Sequence, residues 1–408
     1  MRRTLAALLL LSAAIPAVAQ PYTIESFDDL AAIEARKGIT AQPAETTYAP
    51  ADDAAVGAGA LTASLAPGGN VTVSISPDLY ADNEAWDACN GIRFWLKGDG
   101  SDGYGCVAFG PRYPYLYEVW FPLKDASWHQ VTYRLDELVS MSAVMPIGTP
   151  GMAPPSGMAT IVLGTRWRLV WNNEPKPAYS FSIDNVELIA DAPPAPPVPA
   201  PRPLGEVLRK LKGHEPVRIY CMGDSVTAGT GLADKYHEQY AAVLQGLLRD
   251  RLGYDGISVQ SRAVGGAKLA DARAWAVRDF AGEPPDLVTI CYGYNDKSAG
   301  QSKDFFKYSL SDYIERICRQ TGGRAAIVPI TTLPGGQWRF VMMDDYAEGV
   351  REVCAERGLP CLDLAAQIKP MGRVQWATML ADRAHPKAEG HRWLAEQMAD
   401  WFMKQIGQ

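Results

Sequence analysis

Three short polar segments carry side chains able to transfer an acyl group between them, provided the fold unites them. They are Gly223-Asp224-Ser225, Gly293-Tyr294-Asn295-Asp296 and Asp382-Arg383-Ala384-His385. An unassisted serine hydroxyl is a poor nucleophile and needs a neighbouring base. In the third segment a carboxylate precedes an imidazole by three residues, so a single turn can set Asp382 against Nδ1–H of His385 and fix its tautomer. Nε2 is then free to take a proton. Attack on an ester carbonyl builds negative charge on its oxygen, and each donor already aimed at that oxygen contributes about 2.7–4 kcal/mol. An amide side chain and glycine N–H groups, unobstructed by a Cβ, suit that task. Glycines of this kind occur in a fourth segment, Ser261-Arg262-Ala263-Val264-Gly265-Gly266.

These segments need a scaffold, and hydrophobic periodicity supplies one. Apolar runs at Val217–Met222, Ile257–Val264, Leu287–Tyr292, Ala325–Thr331 and Pro360–Leu364 read as strands. Helical patterns lie between them at Tyr236–Arg251, Leu269–Phe280, Phe305–Arg319 and Tyr346–Arg357, and a last amphipathic helix runs from about Lys387 to Ile406. This alternation specifies a parallel sheet covered by helices on both faces. Ligands of such sheets bind beyond the carboxyl ends of the strands, where strand order reverses. A flavodoxin-like order 2-1-3 makes the loops after the first three strands neighbours, and the Asp382–His385 segment enters the final helix.

The residues before Ala192 follow a different period. Ile92, Phe94 and Leu96 alternate with Arg93, Trp95 and Lys97, and Tyr117, Val119 and Phe121 alternate with Glu118 and Trp120. A change of phase between Tyr179-Phe181-Ile183 and Val186-Leu188 predicts a bulge near Asp184-Asn185. Gly, Pro and Asn clusters punctuate these runs, which favours an antiparallel sandwich of the jelly-roll kind. Between the two patterns lies Ala192 to Pro203, APPAPPVPAPRP, whose proline density favours extended polyproline II and reads as a semi-rigid spacer. The expected organisation is a signal peptide over 1–19, a β-sandwich domain over 20–191, a linker over 192–203 and a catalytic domain over 204–408.

Composition narrows the function classes. A chain of 408 residues exceeds what one hydrophobic core usually serves. With 39 basic and 46 acidic residues the net charge is −7, and no run of Lys and Arg offers nucleic acid a footing. Arg2-Arg3, the apolar stretch Leu5 to Ile15 and the small-x-small site Ala17-Val18-Ala19 read as a secretory signal, so a secreted or periplasmic protein is expected. No later segment approaches the length of a membrane span. Seven cysteines is an odd number for an exported chain. Cys221 and Cys291 lie in apolar runs and read as buried hydrophobes, whereas Cys89 with Cys106, or Cys354 with Cys361, are candidate disulfides. No metal-binding pattern and no cofactor motif is found.

Taken in order, a GDS near the start of an α/β domain, a Gly after the second strand, GxND after the third and DxxH before the last helix resemble the SGNH (GDSL) hydrolase family. The resemblance covers roughly Leu204 to the C-terminus. It implies Ser225 as nucleophile, His385 as base and Asp382 as its orienting partner. It also implies an oxyanion hole made of the N–H groups of Ser225 and Gly266 and the side chain of Asn295. Two blocks depart from the pattern: the second opens with Ser261 and Ala263 instead of Asn and Gly, and in the third Tyr294 stands where a small residue is common, lining the pocket mouth. The GxSxG elbow of α/β-hydrolases is absent, since Thr227 occupies its last glycine position.

Plainer readings stand beside these. Ser225 could cap a helix, His237 is a rival base on a helix surface, and His391 reads as structural. Asp224 reads as a turn carboxylate and Asp296 as a group holding its own loop. The N-terminal sheet could bind sugar through Trp95 and Trp120, or those rings could serve as structural cover. The implied reaction is hydrolysis of carboxylic esters, with O-acetyl groups of a polysaccharide as the expected substrate. One alternative is a lipase or thioesterase of the same fold, with an acyl groove at Trp338, Phe340, Val341 and Met342. Another is a carbohydrate-binding protein whose hydrolase-like domain is idle.

Overall fold

Alternation in the segment Gly91–Gly98 makes it a strand because every second side chain finds a core: Ile92, Phe94 and Leu96 are buried, while Arg93, Trp95 and Lys97 remain partly exposed. The computed structural model describes residues 20–75, 77–112, 115–140, 154–336 and 338–407. Among these, the N-terminal part forms two six-stranded antiparallel sheets. Gly91–Gly98 and Tyr179–Ile189 are central in one, and Tyr104–Arg112, Tyr115–Pro122 and Thr160–Gly164 in the other. The sheets meet over Phe94, Phe109, Phe121 and Phe181, whose rings pack at tilted or edge-on angles. Pairing with Gly91–Gly98 slips between Asp184 and Glu187, where Asn185 takes a left-handed φ of 43°. The expected bulge is therefore present. Residues 1–19, expected to be a signal peptide, lie outside the described residues.

The C-terminal part is a three-layer α/β/α unit. Its four-stranded parallel sheet runs in the order Ile257–Ser261, Val217–Gly223, Leu287–Cys291, Ala326–Pro329, which is 2-1-3-4. Every residue of the third and fourth strands is buried, as a sheet covered on both faces requires. Leu204–Lys212, Tyr240–Leu252 and Ala388–Ile406 pack on one face, and Leu269–Asp279, Lys303–Thr321 and Asp344–Arg357 on the other. Two sequence expectations are corrected. Pro360–Leu364 is no full strand: it makes one parallel bridge, Ile330 to Leu362, before Asp363 caps a helix by accepting from Ala366 N–H at 3.0 Å. The helix expected from Tyr236 begins at Tyr240, because Gln239 is extended and parts it from the short turn Lys235–Glu238.

The two parts share one hydrophobic cluster. Trp120 of the sandwich packs edge-on against Trp275 of the helix Leu269–Asp279, with ring centroids 6.1 Å apart, and Trp167 does the same at 4.8 Å. Charged groups are buried alongside in pairs. Arg278 contacts Asp279 at 2.7 Å, and Asp279 also accepts from Trp171 Nε1 at 2.8 Å. Burial pushes the Glu118 carboxyl up to about 7. The stretch 192–203 has no helix or strand, yet Arg202 donates its N–H to Ala325 O at 3.0 Å and a guanidinium N–H to Asp286 at 2.7 Å. Its start is tied to the sandwich, where Ala192 N–H donates to Asn90 Oδ1 at 3.0 Å, so the stretch passes from one part to the other.

All seven cysteines are free thiols. Cys106 donates to Glu118 Oε2 at 3.4 Å and does not pair with Cys89, and Cys354 and Cys361 are likewise free thiols. Cys221 and Cys291 are buried.

Because Trp275 is 1% exposed and touches both parts, Trp275→Ala should cost about 3–5 kcal/mol. Urea unfolding followed by tryptophan fluorescence and far-UV dichroism should show one shared transition moving to lower denaturant. Two well-separated transitions in the wild type would contradict a common core.

Candidate active site

The first parallel strand ends at Gly223, and the chain turns at once. Asp224 is buried and accepts from Val226 N–H at 3.0 Å, the role expected of a turn carboxylate. Burial pushes its carboxyl up to about 6, against the pull of that hydrogen bond. Thr230 N–H closes the turn on Ser225 O at 3.0 Å.

The loop before the last helix is templated by its own carboxylate. Asp382 Oδ1 accepts from the N–H groups of Ala384 at 2.7 Å and His385 at 2.8 Å, and Oδ2 lies 2.7 Å from His385 Nδ1. Backbone bonds from Ala381 N–H to His385 O and from Lys387 N–H to Met379 O, both 2.8 Å, staple the loop ends. His385 Nε2 then stands 2.9 Å from Ser225 Oγ. Burial raises the Asp382 carboxyl, but the bonds from the His385 ring and the two backbone N–H groups outweigh it and hold the group at about 2.

The rival histidines do not converge on Ser225. Asp234 and His237 have the same three-residue spacing and an Nδ1–carboxylate contact of 2.7 Å, yet the His237 side chain is 83% exposed. Spacing alone does not tell the two pairs apart. His391 is fully buried, accepts from Tyr240 N–H at 3.2 Å, and is pushed down to about 4 by burial first and by nearby His385 second.

The second and third loops close in beside the first. Val264 N–H donates to Gly223 O at 3.2 Å. Gly266 has φ +79°, a left-handed conformation that favours glycine, although a Cβ would meet nothing there. Among the described residues, neither the Ser225 nor the Gly266 N–H donates to a backbone carbonyl. Asn295 donates one amide N–H to Ala267 O at 3.0 Å and keeps a second. Asp296, fully buried, accepts from Leu269 N–H at 2.9 Å and so joins the third loop to the second; burial pushes it up to about 8.

Tyr294 is half-buried, accepts from Arg339 and donates to Arg383 O at 3.4 Å, linking the third loop to the histidine loop. Trp338 is 59% exposed and Val341 64%, but Phe340 is 8% exposed and packs inward, so the four residues of the expected acyl groove do not share one surface. Trp120, 3% exposed between Trp275 and the Lys176 ammonium, is unavailable to a sugar, a correction that follows from the buried contact between the two parts. Trp95 is half-buried on the other sheet, opposite Asp184 and Gln130, and is not brought to Ser225. Sequence reasoning missed Asn172 and Asn173, in a turn of the sandwich that reaches the second loop. Their one signal is a polar Asn-Asn-Glu-Pro run between apolar stretches. Among the described residues, no three His, Cys, Asp or Glu cluster as a metal site would need.

Residues 221–393 match the GDSL-like Lipase/Acylhydrolase family. With the flavodoxin-like sheet, this match marks residues 221–393 as a domain of the SGNH, or GDSL, lipase/acylhydrolase type. By sequence the chain is 25% identical over 224 residues to an acetylxylan esterase of Xylanibacter ruminicola, covering 48% of this chain and 45% of the relative. It is 25% identical over 209 residues to an acetylxylan esterase of Geobacillus stearothermophilus, covering 47% of this chain and 94% of that one. The chain thus spans less than half the length of the first of these relatives. Among solved structures, a two-domain esterase (CEX) active on acetylated mannans, co-crystallised with mannopentaose, is 17% identical with a TM-score of 0.42, over 50% of this chain and 54% of that one.

Asp296 generates a prediction. Its folded value of about 8 lies above the ordinary 3.8, so the stability it contributes is present at low pH and lost as pH rises through about 8. Asp296→Asn keeps an oxygen for Leu269 N–H without the buried charge. Its melting temperature should therefore gain on the wild type steadily between about pH 4 and pH 8; a difference constant with pH would count against this account.

Proposed function

We propose that this chain is an exported serine esterase that removes O-acetyl groups from a polysaccharide through an acyl-enzyme. The observation that carries the reading is the relay of contacts from Ser225 Oγ to His385 Nε2 at 2.9 Å and from His385 Nδ1 to Asp382 at 2.7 Å. In this mechanism Nε2 takes the hydroxyl proton as Oγ attacks the ester carbonyl. The N–H groups of Ser225 and Gly266 and the free amide N–H of Asn295 receive the developing oxyanion. The sugar alcohol leaves with the proton from Nε2. Water then attacks the acetyl-serine with the same imidazole as base, acetate departs and Oγ recovers its proton. Asp382 stays a carboxylate at any pH above about 2, so it supports the imidazolium in both halves of the cycle.

Acetylated polysaccharide is supported by the two acetylxylan esterases among the relatives. Tyr294, tied to Arg339 and Arg383, narrows the rim in favour of a short acyl group, and exposed Trp338 offers a ring on which a sugar face can stack. Export to the periplasm or medium rests on the Arg-led apolar start and the Ala17-Val18-Ala19 site. The proposed organisation is a leader over 1–19, a sandwich of the jelly-roll kind over 20–191, a linker over 192–203 and the hydrolase over 204–408. Exposed Val341 beside Trp338 favours a second reading, in which longer acyl chains are the substrate.

The test compares wild type with Ser225→Ala on p-nitrophenyl acetate, p-nitrophenyl octanoate and acetylated xylan. Ser225→Ala should lose activity by about 10³-fold or more, and equal activity in this variant would remove the serine mechanism. Octanoate turned over faster than acetate would favour the second reading, and silence on every ester an idle hydrolase domain. Acidification should abolish the rate while Asp382, held at about 2, is still ionised. A rate level from about pH 8 to about pH 4 would contradict His385 as base.

A further inference from the structure

Between strands of the sandwich the chain makes a narrow excursion, closed at its base by a bridge between Leu169 and Pro175. At its tip Asn172 and Asn173 both take left-handed backbone angles, φ 57° and 59°. This tip crosses to the α/β part and grips the loop that follows its second strand. Asn172 N–H donates to Ala263 O at 2.9 Å. Gly265 N–H donates to Asn173 Oδ1 at 2.6 Å. The other end of the same amide, Asn173 Nδ2, donates to Thr230 Oγ1 at 2.9 Å, and Thr230 N–H is bonded to Ser225 O. The approach is close enough that a Cβ on Gly265 would lie 2.8 Å from Asn173 Oδ1.

The excursion is itself held from the far side. Lys235 Nζ donates to Asn172 O at 2.6 Å and to Glu174 at 2.9 Å, and Tyr236 also donates to Glu174. An amide is suited to its place at the tip because it offers an acceptor to one loop and a donor to the other. With Ala263 O and Gly265 N–H both fastened to the sandwich, the backbone entering Gly266 has little freedom. The Gly266 N–H then points where the fastening sets it.

We infer that Asn173, from the N-terminal β-sandwich, is a positioning residue for the oxyanion hole, holding the Gly265-Gly266 loop in register with the turn that carries Ser225. The inference rests on the esterase reading above and deepens it: the sandwich forms part of the active site's frame. Electrostatic stabilisation of an oxyanion depends on donors placed in advance, and a displacement of about 1 Å can cost about 10²-fold in rate.

The experiment uses the full chain and p-nitrophenyl acetate, with kcat, KM and melting temperature measured for wild type, Ser225→Ala, Asn173→Leu, Asn173→Asp and Thr230→Val. Asn173→Leu keeps the bulk and removes both bonds, and kcat should fall about tenfold to a hundredfold with KM within about twofold. Asn173→Asp still accepts from Gly265 N–H and can take the Thr230 hydroxyl as donor, so most of kcat should return. Thr230→Val, which loses one arm, should fall less than Asn173→Leu. The acid limb of the pH–rate profile should keep its midpoint in all three, because the imidazole pair is untouched. An unchanged kcat in Asn173→Leu, while Ser225→Ala is dead, would overturn this inference and leave the esterase standing. Equal losses in the Leu and Asp variants, tracking their melting temperatures, would also overturn it, since that is the signature of general destabilisation. Absence of wild-type turnover on any ester would sink the esterase reading, and the positioning role with it.

Discussion

The register of the strand Val217–Gly223 between its two neighbours governs the site. Cys221 pairs with Ser261 on one side and Gly223 with Cys291 on the other, so three strands end at nearly the same level. Because they are parallel, all three hand their chains to the same rim. The hydroxyl turn, the glycine loop and the Asn295 helix start therefore begin within a strand spacing or two of one another. The last helix packs against the helix Tyr240–Leu252 on one face and delivers the loop that bears His385 to the same rim.

Electrostatics at that rim is divided by burial. Asp224 and Asp296 lie in the protein, bonded to backbone N–H groups, and desolvation favours their neutral forms. Asp382 sits at the surface among three hydrogen-bond donors and is kept ionised. The carboxylate that faces the imidazole is thus charged throughout. Of the two that shape the loops, Asp296, pushed up to about 8, accepts its hydrogen bonds with little charge of its own near pH 7, whereas Asp224, at about 6, is still mostly ionised there.

The contact between the two parts joins fold to site. Trp120, Trp167 and Trp275 form its apolar centre, and the pairs of Arg278 with Asp279 and of Arg166 with Asp271 balance the charges buried around it. Burying charge is costly unless it is paired, so such a contact favours one relative placement of sandwich and hydrolase. That placement brings the Trp171–Glu174 excursion to the loop after the second strand.

Local rules read along the chain were sufficient for much of this molecule. A period of two produced the strands around Ile92 and Tyr117, and the slip after Ile183 foretold the bulge at Asp184-Asn185. Apolar runs parted by amphipathic helices specified the parallel sheet, and from its order followed the meeting of the loops at Ser225 and Asn295. Each of these depends on near neighbours in sequence or on topology that few chains violate. Where neighbours do not decide, the sequence was silent or misleading. Asp234–His237 and Asp382–His385 have one spacing, and tertiary placement alone set the second pair beside a serine. Trp120 alternates like a surface residue, but a helix of the other part covers it. Asn173 meets Gly265 across 92 residues of chain, a contact made by packing of two domains and leaving no periodic trace in either.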